Sequence, residues 1–86
     1  MEINKLIKII KEKLNSNLRI SSITIEDKSF LHSKHTHFDS SKFHIKLVID
    51  SPELKGLDKI TANRKIYEIL KNELKTDIHS LQIIIN

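Results

Sequence analysis

Between residues 27 and 38 the chain reads DKSFLHSKHTHF, which places three histidines, His32, His35 and His37, within six positions. Imidazole is the commonest protein metal ligand near neutral pH, and it is also the side chain that changes charge there. The stretch therefore has three readings: a metal site, a pH sensor, or a solvated loop rich in imidazole. Two further histidines stand apart, His44 in "KFHIK" and His79 in "IHSLQ". By strand alternation His44 falls opposite the apolar set and reads as exposed. His79 reads, from its place alone, as a strand-start histidine that hydrogen-bonds a backbone carbonyl. The chain has no cysteine, so it can form no disulfide and has no thiolate to hold zinc or an iron–sulfur cluster by itself. Neighbouring loop histidines without a zinc-site spacing are a weak zinc signal.

A second set of residues could meet anions. Arg64, Lys65, Lys71 and Lys75 recur along one helical stretch, with Lys55 and Lys59 just before it. Such a face is most often simply solvated. Its functional readings are a basic groove for DNA phosphates, or a docking face for an acidic partner or the carboxylates of glutathione. Fifteen Lys and Arg against eleven Asp and Glu give a net charge of +4, which permits either without demanding it. The single glycine rules out a Gly-x-x-Gly nucleic-acid loop, and no aromatic stacking platform is apparent, which lowers RNA binding more than DNA binding. No nucleophile–base–orienter set or carboxylate pair stands out. In 86 residues there is little room for an enclosed substrate pocket, which weighs toward a binding or adaptor module over an enzyme.

The elements that must position these residues follow from periodicity. Ile3, Leu6, Ile7, Ile10 and Leu14 predict an amphipathic helix over about 3–14, ended near "NSN". "LRISSITIE" predicts a strand at 18–26. "KFHIKLVID" alternates more strictly, with Phe43, Ile45, Leu47 and Ile49 on its buried face. The connection over about 27–41 is too long for a tight hairpin, so it is expected to be less ordered than the rest. Ile66, Tyr67, Leu70 and Leu74 predict a helix over about 61–75 capped by Thr61, with a short helical turn at 57–60. "IHSLQIIIN" predicts a last strand, with Leu81, Ile83 and Ile85 sharing a face.

Residues 1–86 thus read as one domain of α+β class, in the order α-β-β-α-α-β. Consecutive strands pair antiparallel, and a helical crossover favours a parallel third strand, which gives a three-stranded mixed sheet covered by helices on one face. The amino-terminal "MEINKLIKIIKEKL" carries Glu2 and Glu12 and has no unbroken apolar core, so it reads as a helix and not as a secretory signal. No apolar run approaches a membrane span. The expectation is a cytoplasmic protein, monomeric when alone.

Four stretches in order resemble the BolA-like proteins. "EDKSFLHSKH" is similar to the family's Asp-x-Ser-x-x-His-x-x-His loop at Asp27, Ser29, His32 and His35. "SKFHIKLVIDSPELKG" is similar to its Ser-His-Phe-x-Val strand and following turn at Ser41, Phe43 and Gly56. "ANRKIYEIL" is similar to its Arg-His-Arg-x-x-Tyr helix start at Arg64 and Tyr67, and "IHSLQI" to its closing strand, with His79 as the characteristic histidine. The chain departs from the pattern at Lys42, Leu54 and Ala62–Asn63. The last change removes a positive charge from the helix start. The resemblance implies a fold similar to type II KH, and partnership with a monothiol glutaredoxin around a shared [2Fe–2S] cluster. It implies His79 as the fixed iron ligand and a loop histidine as the second: His32 first, His35 next, His37 last. It also implies a runner-up, a DNA-binding transcription regulator that uses Arg64, Lys65 and Lys71. A chain without cysteine suits a shared site, because imidazole can replace thiolate on one iron while the partner and glutathione supply thiolates.

Overall fold

The computed structural model describes residues 2–29 and 42–86. Helix α1 (Ile3–Asn17) starts where the Glu2 carboxylate accepts the Asn4 N–H at 3.2 Å. It buries Leu6, Ile10 and Leu14 as a stripe at four-residue spacing. The helix outruns the expected end because Leu18 is itself buried and its N–H reaches the Leu14 carbonyl. The amides of Asn15 and Asn17 meanwhile donate back to the carbonyls of Lys11 and Lys13. The first strand, expected from residue 18, is correspondingly shorter: β1 spans Ser22–Asp27.

Strand β2 (Phe43–Asp50) is central, antiparallel to β1 and parallel to β3 (Ile78–Ile85). The register aligns Ile23 with Ile49 and Ile25 with Leu47 on one side, and Leu81, Ile83 and Ile85 with Ile45, Leu47 and Ile49 on the other. These side chains share one face with period two. They pack in one cluster with Leu6, Ile10 and Leu14 of α1 and with Ala62, Ile66 and Leu70. The opposite face carries polar pairs, including Glu26 with Lys46 at 3.7 Å.

The crossover between β2 and β3 holds three helical pieces: α2 (Pro52–Lys55), α3 (Lys59–Ile69) and α4 (Lys71–Thr76). The expected single helix over 61–75 starts earlier and is interrupted at Leu70, whose φ of −99° and ψ of 15° leave the helical region. Its cap is Asp58, not Thr61; Thr61 is the donor, giving its N–H at 2.7 Å and its hydroxyl at 3.0 Å to the Asp58 carboxylate. The expected order thus holds, with mixed pairing and helices over the apolar face. No helix among the described residues is long and apolar enough to cross a membrane.

Candidate functional site

The register between β2 and β3 slips once: Phe43 pairs with Ile78, but His44 pairs with Ser80. One extra residue of β3, His79, is accommodated there, and such a bulge re-aims side chains locally. His79 is exposed, and its ring lies beside that of His44, centroids 4.8 Å apart and planes tilted by 53°. His44 is only 9% exposed. Its Nδ1 shares a hydrogen bond of 2.6 Å with the Ser80 hydroxyl.

The root of the β1–β2 connection meets the same corner. The Ser29 N–H donates to the Asp27 carboxylate at 3.0 Å, which folds the chain into a short turn. The Ser29 hydroxyl in turn accepts the His44 backbone N–H at 3.1 Å, and the Lys28 N–H reaches the His44 carbonyl at 2.7 Å. Asp27 and Ser29 of the histidine-rich motif thus anchor the start of the connection directly against His44. Of the expected ligands, His79 stands at this corner. His32, His35 and His37 lie outside the described residues, as does all of the stretch 28–40 expected to be less ordered except Lys28 and Ser29, which are tied to His44.

The exposed reading of His44 was incorrect. Alternation correctly placed it on the face opposite the core, yet Ser80, His79 and the Ser29 turn crowd that face at the bulge. A bulge leaves no trace in the period of one strand, so the burial was not legible from "KFHIK" alone. Among the described residues no group of three or more His, Asp or Glu side chains could hold a metal ion. The donor set here is an incomplete one of imidazoles, which fits a site whose remaining ligands come from elsewhere.

The basic residues lie on the helical crossover. Arg64 is exposed; Lys65 pairs with Glu53 at 3.1 Å and Lys71 with Glu68 at 3.2 Å. At the far end of β3, a groove of about 500 Å³ is lined by Leu54, Leu57, Ala62 and Ile83–Ile85, with Lys55 and Lys59 on it. Ile84 lies five positions on from His79, roughly 17 Å along a strand. The imidazole corner and the groove are distinct places.

The family model for BolA-like protein matches residues 14–86, which include both places. The chain belongs to the BolA-like family. Among curated relatives, this BolA-like chain is 33% identical over 78 residues to the UV-induced protein uvi31 of Schizosaccharomyces pombe, across 86% of the chain and 76% of that protein. It is 32% identical over 75 residues to the DNA-binding transcriptional regulator BolA of Haemophilus influenzae, across 87% of the chain and 70% of the relative. Among solved structures it is similar to the BolA domain of SufE1 from Arabidopsis thaliana. That match has a TM-score of 0.78 and 33% identity, and covers 92% of this chain and 87% of the other. The BolA-like α+β fold, with its three-stranded mixed sheet, is thereby established for the chain.

Proposed function

We propose that this BolA-like chain is a non-enzymatic adaptor that pairs with a monothiol glutaredoxin and shares a [2Fe–2S] cluster with it, in iron–sulfur trafficking or in sensing iron or redox state. The observation that carries the reading is the corner itself. An exposed imidazole, His79, stands beside the anchored root of the segment that bears His32, His35 and His37. The absence of cysteine requires the thiolates to come from the glutaredoxin and its glutathione. When bound, the cluster supplies a one-electron centre whose potential is raised by imidazole ligation. The chain's own part is to present His79, bring a loop imidazole alongside, and dock the partner.

The test is reconstitution of iron and sulfide with the chain, a monothiol glutaredoxin and glutathione, read by visible absorption and circular dichroism. His79→Ala is expected to change the spectrum of the mixed complex while docking persists. His32→Ala is expected to do less, because His35 or His37 can substitute from the same segment, and the triple loop variant to do more. Spectra identical to wild type in both His79→Ala and the triple variant would sink the reading.

A second reading is favoured by the Haemophilus influenzae relative, named for DNA binding and transcriptional regulation. In it Arg64, Lys65 and Lys71 meet DNA phosphates, and His79 has no part.

A further inference from the structure

We infer that His44 is a positioning residue for the His79 imidazole, a role that rests on the adaptor reading above. An exposed histidine on a strand ordinarily samples several rotamers, and a ligand that must first be ordered binds more weakly than one already held. His79 has a wall on one side. The His44 ring lies 4.8 Å from it, close enough for the tilted rings to touch.

A wall orients its neighbour only if it is fixed, and among the described residues His44 is held at three points. Its Nδ1 is tied to the Ser80 hydroxyl at 2.6 Å, its backbone N–H to the Ser29 hydroxyl at 3.1 Å, and its carbonyl to the Lys28 N–H at 2.7 Å. The strand slip is what makes this possible. By setting His44 opposite Ser80 and inserting His79 between Ile78 and Ser80, it brings two successive β3 residues against one ring. One of them fastens the ring; the other leans on it. Outer groups that orient a ligating histidine are a general part of metal sites. His44 differs from the usual hydrogen-bonding partner in acting through ring contact.

The experiment has one arm without a cluster and one with it. In the isolated chain, side-chain NMR couplings of His79 are expected to report a single rotamer in wild type, an average in His44→Ala, and a partial recovery in His44→Phe, which keeps a ring against His79 but not its bond to Ser80. Ser80→Ala, which removes the hydroxyl bonded to Nδ1 and little else, is expected to loosen His79 partially. Backbone amide spectra show that each variant is folded, and His44→Phe and Ser80→Ala carry the test if His44→Ala is not. In the reconstituted complex, cluster retention is expected to fall about tenfold in His44→Ala, the scale of outer-shell changes at metal sites, and to recover in part in His44→Phe. A single His79 rotamer in both His44→Ala and Ser80→Ala overturns the inference. So does wild-type retention in His44→Ala when His79→Ala alters the spectrum. If His79→Ala leaves the spectrum unchanged, the adaptor reading fails by itself, and the rotamers still decide whether His44 holds His79.

Discussion

Ser51 shows how much one side chain joins in so small a domain. It is fully buried: its hydroxyl donates to the Arg19 carbonyl at 2.6 Å and accepts the Leu54 N–H at 3.2 Å, capping α2. Ser51→Ala leaves both groups without that partner, and is expected to cost about 1–2 kcal/mol, measured by denaturant unfolding. Two residues on, the Glu53 carboxylate accepts the Arg19 N–H at 3.1 Å, and Lys65 at the same distance. The Arg19 backbone bond, and then Lys65, hold the Glu53 carboxyl below its ordinary range. The Thr61 N–H, and then its hydroxyl, do the same for Asp58. Because both native values are lowered, their stabilising contribution is complete above the ordinary carboxyl range near pH 4 and is lost as pH falls through the lowered values. Asp58→Asn keeps an acceptor for the cap but cannot titrate. Its unfolding midpoint is expected to fall less than that of wild type between pH 5 and pH 3, and an identical decline would contradict the assignment. The short helical turn expected at 57–60 forms earlier, as α2 over Pro52–Lys55, because Ser51 caps it and Pro52 stands in its first turn. The bond from Ser51 to Arg19 was not legible, because it joins residues far apart in sequence.

At the scale of elements, periodicity found every long piece and misplaced several ends. Apolar stripes report which face is buried, and that is why Leu6, Ile10, Leu14, Ile45, Leu47, Ile49 and Ile66 were all assigned inward. Ends depend on which cap wins, and a sequence window offers competing ones. Asp58 and Thr61 are both good caps; the carboxylate won because it collects two donors from Thr61 itself. The break at Leu70 has no glycine or proline to announce it. Around it, Leu70 is fully buried, and Glu73 is 8% exposed, where both its oxygens receive the Lys13 ammonium, at 3.0 and 2.7 Å. That pair fastens α4 to α1, on the piece that leads into β3 and His79. Glu73→Leu replaces the buried charge with apolar bulk, whereas Lys13→Ala leaves a carboxylate poorly paired in a low-dielectric setting. Breaking one partner is therefore expected to destabilise more than replacing the buried carboxylate. Ile66→Ala in the core beneath is expected to cost about 2–5 kcal/mol, which sets the scale for both in the same unfolding measurement.

The whole molecule carries its two candidate chemistries on different residues, the imidazoles at the start of β3 and the cations Arg64, Lys65 and Lys71 on the helical crossover. That separation lets the two readings be tested on one protein without confounding each other. If DNA binds at all, it does so through exposed cations, of which Lys65 and Lys71 already have carboxylate neighbours. Exposed pairs of this kind are weak and exchange readily for phosphates, so their presence lowers affinity without forbidding contact. Phosphate contacts release counterions, and the affinity falls with salt in proportion to their number, at a slope of about −0.9 per phosphate in the logarithms. Arg64→Ala is expected to reduce that slope by about one and to weaken binding alike on all sequences, while leaving the cluster spectrum of the glutaredoxin complex unchanged. His79→Ala is expected to do the reverse. With few contacts available, binding measured by fluorescence anisotropy is expected to vanish at physiological salt on any duplex. Binding that persists there, and that discriminates one promoter sequence from a scrambled one, would favour the regulator reading over the adaptor.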